Sequence, residues 1–140
     1  MRAVLDVNIL ISALLGPSGT PAHLLTRWLY GDFDLIVSPQ LLAELQRALA
    51  YPKLRTRVSG EDAVSFIQLL GTVALTVEDD PNPPRRSRDP GDDYLVAVAE
   101  ESRAALVSSD AHLLELSGII PVYSAQAFIE WLDSSQPAAR

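Results

Sequence analysis

Four acidic positions in this 140-residue chain fall where a merely solvated charge is out of place. Asp6 ends the apolar stretch Ala3-Val4-Leu5, and Asp110 follows Leu106-Val107-Ser108-Ser109. Glu44 stands among Leu41, Leu42 and Leu45, while the pair Asp92-Asp93 opens the apolar run Tyr94-Leu95-Val96-Ala97-Val98-Ala99. Carboxylates gathered in one place raise each other's pKa by units, so the gathering is costly unless a cation offsets it. Oxygen ligands without cysteine or a well-placed histidine suit Mg²⁺ or Mn²⁺ rather than zinc. One or two such ions can bind a phosphodiester oxygen, acidify the attacking water and stabilise the leaving oxygen. Metal-assisted phosphodiester cleavage is one chemistry that such a set can perform.

The elements that must position them are read from hydrophobic periodicity. Strand-type and helix-type segments alternate throughout, which predicts an α/β fold, a three-layer α/β/α sandwich with a mostly parallel central sheet. Strands are expected at 3–5, 35–37, 73–77, 105–107 and 121–123. Helices are expected at 7–15, 21–29 (Thr20 as N-cap), 39–49 (Ser38 as N-cap), 61–70, 90–103, 111–116 and 124–132. Residues 52–60 read as an arginine-bearing connection. Residues 78–89, dense in charge and holding three prolines, read as an exposed loop. One domain over 1–133 is expected, with a frayed tail at 134–140. In open α/β sheets the ligand site lies at the C-terminal strand edge. Asp6 and Asp110 both fall on that edge, and the helix starting near Asp92 faces the same way.

Each acid also has a plainer use. Asp6 and Asp110 can cap the helices that follow them, and Glu44 can pair with Arg47 along its helix. Asp89-Pro90-Gly91-Asp92 has the form of a capping arrangement, with Asp89 as N-cap and Asp92 reaching back to the helix-start amides. That reading makes Asp92 structural. The ordered set is harder to explain away than any one member.

The balance of 18 acids against 11 bases gives a net charge of −7, the wrong sign for a module held to nucleic acid by bulk charge. It does not exclude a nuclease whose acids hold cations, because bound metal reverses the local field. The absence of cysteine removes disulfides, thiolate nucleophiles and Cys-ligated zinc. No apolar run approaches the ~20 residues of a membrane helix, and the start carries one base and then Asp6, unlike a signal peptide. A cytoplasmic protein is expected. Substrate phosphates are expected against Arg85, Arg86 and Arg88 of the proline-rich loop and Arg55 and Arg57 of the earlier connection. Leu24, Leu25, Trp28 and Leu29, with Leu41, Leu42, Leu45 and Leu49, are more apolar surface than one sheet face needs, so a homodimer or a groove for a partner helix is expected.

Taken in order, these residues resemble the PIN family. Its pattern is an early strand ending in Asp-x-Asn (Val4-Leu5-Asp6-Val7-Asn8) and a helical Glu followed by Leu (Glu44-Leu45). An Asp then opens an Ala-rich helix (Asp93 to Ala99), and a later strand ends in Val-Ser-x-Asp (Val107 to Asp110). The likeness spans roughly residues 3 to 123, and Arg88-Asp89-Pro90 resembles the branch counted among toxins of type II toxin–antitoxin systems. The resemblance implies a Mg²⁺- or Mn²⁺-dependent endoribonuclease, often a homodimer inhibited by a small antitoxin. It implies Asp6, Glu44, Asp93 and Asp110 as metal ligands and catalytic acids, with Asn8, Ser108 and Asp92 around them orienting carboxylates. A non-catalytic RNA- or protein-binding module on the same fold is the main alternative, and a metal-dependent phosphatase a lesser one. A haloacid-dehalogenase-type phosphotransferase would need Asp where Asn8 stands and a site lysine, and Lys53 is the only lysine. A serine hydrolase or phosphate-binding loop would need motifs the chain lacks. His23 and His112 are too far apart to make a zinc site and are expected on the surface.

Overall fold

In this computed structural model residues 1–135 are described. Five strands form one parallel sheet in the order β3-β2-β1-β4-β5. They are β1 (Arg2–Leu5), β2 (Asp34–Val37), β3 (Leu75–Thr76), β4 (Ala105–Val107) and β5 (Val122–Tyr123). The helices are α1 (Val7–Leu15), α2 (Thr20–Leu29), α3 (Pro39–Leu49), α4 (Pro52–Arg55), α5 (Gly60–Val73), α6 (Asp93–Glu101), α7 (Ala111–Leu114) and α8 (Ala125–Ser135). The three central strands are nearly continuous apolar runs, as strands covered on both faces must be, and Ala3, Val4, Leu5, Leu106 and Val107 are fully buried. The expected α/β/α sandwich is what forms. No helix among the described residues is long and apolar enough to cross a membrane.

Strand order places the topological switch point between β1 and β4, because the chain winds outward from β1 through β2 to β3 and then returns to β4 and β5. Asp6 leaves β1 there, and its N–H donates to the Val107 carbonyl at 3.1 Å, locking the two strand ends in register. Helix α6 packs on β1 and β4. Its residues from Asp93 to Ala99 are all buried, which explains a run too apolar for a surface helix.

Several local expectations are corrected. Gly19, not Thr20, is the N-cap of α2, with Pro21 in its first turn. The 52–60 connection contains the short helix α4, which Pro52 opens. Helix α5 runs three residues past 70, because Phe66 and Leu70 keep its core face buried, and this leaves only two residues of strand. The expected helix over 90–103 begins as a 3₁₀ turn, Pro90–Asp92, before α6. Arg103, at φ 53°, turns the chain out of α6 toward β4. The loop over 78–89 is pinned rather than simply exposed. Asp79 accepts from the Gln40 amide at 2.8 Å at the start of α3, and Ser87 is buried. Helix α8 takes in Ser134 and Ser135 of the expected tail, and residues 136–140 lie outside the described residues.

The surplus apolar face is also absent. Leu24, Trp28, Leu41, Leu45 and Leu49 are consumed in this chain's own core, and Leu25 and Leu42 pack partly buried against it. Leu29 alone of that set is well exposed. His23 and His112 are exposed, as expected.

Candidate active site

The site starts from the locked ends of β1 and β4. Asp6 is buried, and its two carboxylate oxygens serve different partners. Oδ1 accepts from the Ile9 amide at 3.0 Å, capping α1, while Oδ2 accepts from the Ser108 hydroxyl. Ser108 Oγ, itself fully buried, accepts from the Asp110 amide at 3.0 Å. Asp110 Oδ1 then accepts from the His112 amide at 2.8 Å and caps α7. The capping roles and the clustering of acids are thus one arrangement: the caps fix the backbone that brings the carboxylates together. Burial raises the Asp6 pKa. Hydrogen bonds from Ser108 and the Ile9 and Asn8 amides pull it down, the Asp110 charge adds to the rise, and the net shift is upward. The Asn8 side chain is exposed at the cleft mouth.

Glu44 comes from the middle of α3 and meets α6. Tyr94 Oη donates to Glu44 Oε2 at 2.8 Å. The Tyr94 side chain is buried, and desolvation together with the Glu44 carboxylate raises its pKa, so it remains a neutral donor. Glu44 makes no ion pair with Arg47 among the described residues. Sequence reasoning missed Tyr94, although it is the only polar side chain between Asp93 and Glu100. A phenol in that position needs a hydrogen-bond partner once buried.

The adjacent pair Asp92-Asp93 is oriented opposite to expectation. Asp93 is 2% exposed and points away from the cleft. Its Oδ1 accepts from the Ser87 and Arg86 amides at 2.7 and 3.0 Å, and its Oδ2 lies 3.2 Å from Arg85 Nε. Burial works to raise its pKa, but the two amides and the Arg85 guanidinium outweigh it and hold the carboxyl below the usual range. Asp92 lines the cleft instead and makes no capping bond; Asp89 caps the turn, accepting from the Gly91 amide at 2.9 Å. Desolvation, then the charges of Asp89, Asp110, Asp6 and Glu44, push Asp92 up to about 6. Of the two neighbours it is therefore Asp92, not Asp93, that lines the cleft with Asp6, Glu44 and Asp110. The capping place expected for Asp92 is taken by Asp89, and the 85–87 amides hold Asp93, which leaves Asp92 turned to the cleft.

Asp6, Glu44, Asp92 and Asp110 thus line one cleft of about 340 Å³, with Asn8 and Tyr94 between them. Among the described residues no three side chains stand close enough to form a metal cluster as they are placed. The donor chemistry nonetheless fits a hard divalent cation. All the candidate ligands are carboxylate oxygens, and two of them, Asp6 and Asp92, have pKa values raised by burial and by neighbouring acids. The arginines expected to meet phosphate do not reach this cleft. Arg85 pairs with Asp93, Arg86 with Glu100 at 3.1 Å and Arg88 with Glu115 at 3.2 Å. Arg55 borders a separate groove near Gly60, and Arg57 is exposed and does not line the acidic cleft. Arg47 is the cation that lines the acidic cleft, beside Tyr51.

The family model of the PIN domain matches residues 2–112. An uncharacterised protein of Methanocaldococcus jannaschii, MJ1680, is 31% identical over 117 residues, covering 83% of this chain and 75% of that protein. Among solved structures, PAE2754 from Pyrobaculum aerophilum superposes with a TM-score of 0.65 at 18% identity, covering 96% of this chain and 91% of that one. VapBC2 from Rickettsia felis, crystallised bound to a DNA fragment from its promoter, superposes with a TM-score of 0.61 at 16% identity, covering 87% and 97%. At such identities these two speak for the fold, while the family model and the archaeal relative speak for descent. On these matches, and with its acids gathered at the switch point, the chain belongs to the PIN-domain family.

Proposed function

We propose that this chain is a divalent-metal-dependent endoribonuclease, with Asp6, Glu44, Asp92 and Asp110 as its metal-holding acids. The observation that carries the reading is the convergence of four acids from four separate segments on one cleft at the switch point, where burial and mutual repulsion raise Asp6 and Asp92. PIN-domain proteins are typically nucleases that use divalent metals, and nothing in the donor set argues otherwise. A bound Mg²⁺ or Mn²⁺ would supply Lewis acidity toward the phosphodiester oxygens and the attacking water. The protein's share is orientation: Ser108 fixes Asp6, the Asp110 amide fixes Ser108, and Tyr94 fixes Glu44. Asp93 ties the 85–87 loop to α6 and holds Asp92 in place from behind.

The reading is tested by incubating the purified chain with single-stranded RNA and Mg²⁺ or Mn²⁺. Cleavage that excess chelator abolishes supports it, and undiminished cleavage in chelator overturns it. The likeness of Arg88-Asp89-Pro90 to the toxin branch supports a cytoplasmic toxin of a toxin–antitoxin pair, with a small antitoxin partner and a homodimeric assembly. Sedimentation of the chain alone, and of the chain coexpressed with the product of an adjacent short reading frame, checks both assemblies.

Tyr94→Phe removes one hydroxyl from the site and little else. Apparent Mn²⁺ affinity is expected to fall about tenfold, in the range seen when outer hydrogen-bond partners of ligands are removed. In a Glu44→Gln background the same change is expected to add almost nothing, because Tyr94 acts through Glu44. Calorimetric Mn²⁺ titration of the four proteins checks it, and additive losses would mean that Tyr94 has a separate role.

A further inference from the structure

We propose that Arg47 and Tyr51 form a subsite for one nucleotide of a single-stranded RNA substrate, Arg47 on a backbone phosphate and Tyr51 stacked on the base. The inference rests on the nuclease reading and adds where the substrate strand lies. Metal held by the four carboxylates would draw the scissile phosphate, but the neighbouring phosphates of the strand need a cation of the protein's own along their path. The arginine-rich loop does not supply one, because Arg85, Arg86 and Arg88 each face a carboxylate. Arg47 lines the cleft itself, is exposed, and makes no ion pair among the described residues.

Tyr51 lines the same cleft four residues later. Arg47 stands in the last turn of α3 and Tyr51 just past its C-cap, Ala50, so the two side chains offer a phosphate contact and a base contact in one cleft. Tyr51 is 64% exposed, which leaves its ring accessible at the cleft. Its backbone is held rigid: φ −61° and ψ 139° are the extended values that the following Pro52 imposes, and its carbonyl accepts from the Leu54 and Arg55 amides. An exposed aromatic ring on a fixed backbone, sharing a cleft with an unpaired guanidinium, is the pairing by which proteins hold unstacked bases. A base inside a duplex offers no free face to it, so the subsite selects single strands.

Binding of a fluorescein-labelled single-stranded RNA oligonucleotide, read by anisotropy, tests the subsite; the Asp6→Asn chain prevents turnover during the measurement. In that background Tyr51→Ala is expected to weaken binding by about five- to a hundredfold. Tyr51→Trp is expected to restore it. Arg47→Ala should flatten the log–log salt dependence by about 0.7, the increment for one phosphate contact on a single strand. Arg85/Arg86/Arg88→Ala should leave that slope unchanged. An abasic nucleotide placed at successive positions should weaken binding at one of them, and Tyr51→Ala should erase that sensitivity. Unchanged affinity in Tyr51→Ala, or an unchanged slope in Arg47→Ala, overturns the subsite. Cleavage assays on the chain with its native Asp6 separate the two readings. If they show no metal-dependent turnover while the binding losses are seen, the nuclease reading fails and the subsite stands; turnover without the losses gives the reverse.

Discussion

Asp6→Asn is expected to lower metal-dependent RNA cleavage by on the order of a thousandfold while the protein stays folded. The rate term follows from removing a charged oxygen at the centre of the cleft: the Lewis-acid stabilisation it positions is worth several kcal/mol, and each ~1.4 kcal/mol is a factor of ten. The fold should survive because the amide that replaces the carboxylate can keep both local bonds. Asn Oδ1 still accepts from the Ile9 amide and caps α1. Its NH₂ group then faces Ser108 Oγ, a hydroxyl that accepts as readily as it donates. Burial and Asp110 already raise the Asp6 carboxyl, so losing its charge relieves a cost in the metal-free protein. A melting temperature equal to or above wild type without metal, together with a lost metal-induced rise, is the expected signature. Cleavage near the wild-type rate would show that Asp6 is only a helix cap.

The architecture was legible because its determinants are local or periodic. Apolar runs marked β1, β2 and β4, Ser38-Pro39 marked the start of α3, and the buried α6 declared itself by having no polar face between Asp93 and Glu100. Asp6, Glu44 and Asp110 could be placed at the sheet edge because each is attached to a strand or helix whose direction the alternation fixes. What stayed hidden depends on tertiary closure. The arginines at 85, 86 and 88 looked free in sequence, but their carboxylate partners lie 8, 14 and 27 residues away. Arg47 stood in the sequence only as a helical neighbour of Glu44, and Tyr51 carried no signal, until α3 and the 3₁₀ turn were seen to share a cleft. The apolar surplus of α2 and α3 vanished for a related reason: helix α2 packs on α1 and α8, and α3 on α1 and α5, so faces that seemed unmatched are covered within the chain.

Asp92→Asn is expected to abolish cleavage and raise the stability of the metal-free protein, whereas Asp93→Asn is expected to destabilise it and spare most of the rate per folded molecule. The two carboxylates are neighbours, yet opposite electrostatics act on them. Asp93 takes two buried amide hydrogen bonds and a guanidinium, and hydrogen bonds to a charged group contribute about 1.5–3 kcal/mol. Asn keeps one acceptor oxygen and loses the charge, so a loss of about 1–3 kcal/mol is expected; the exposed Arg85 adds little to it. That corresponds to about 3–5 °C per kcal/mol in melting temperature for a chain of this size. Asp92 accepts no such bonds and sits in the field of four other acids. Its folded pKa, about 6, lies above its ordinary value of 3.8, so the folded state favours the protonated form. Its contribution to stability is therefore fullest below pH 3.8 and is lost as pH rises through about 6. The Asp93 pKa is shifted the other way, so its contribution is present above 3.8 and is lost only as pH falls below that. Between pH 5 and 7 the stability difference between wild type and Asp92→Asn should grow in the variant's favour, while the difference for Asp93→Asn stays constant. Thermal melts of metal-free protein across that window, paired with cleavage assays at pH 7, decide it. An inactive but undiminished Asp93→Asn beside an active, destabilised Asp92→Asn would return the ligand role to Asp93.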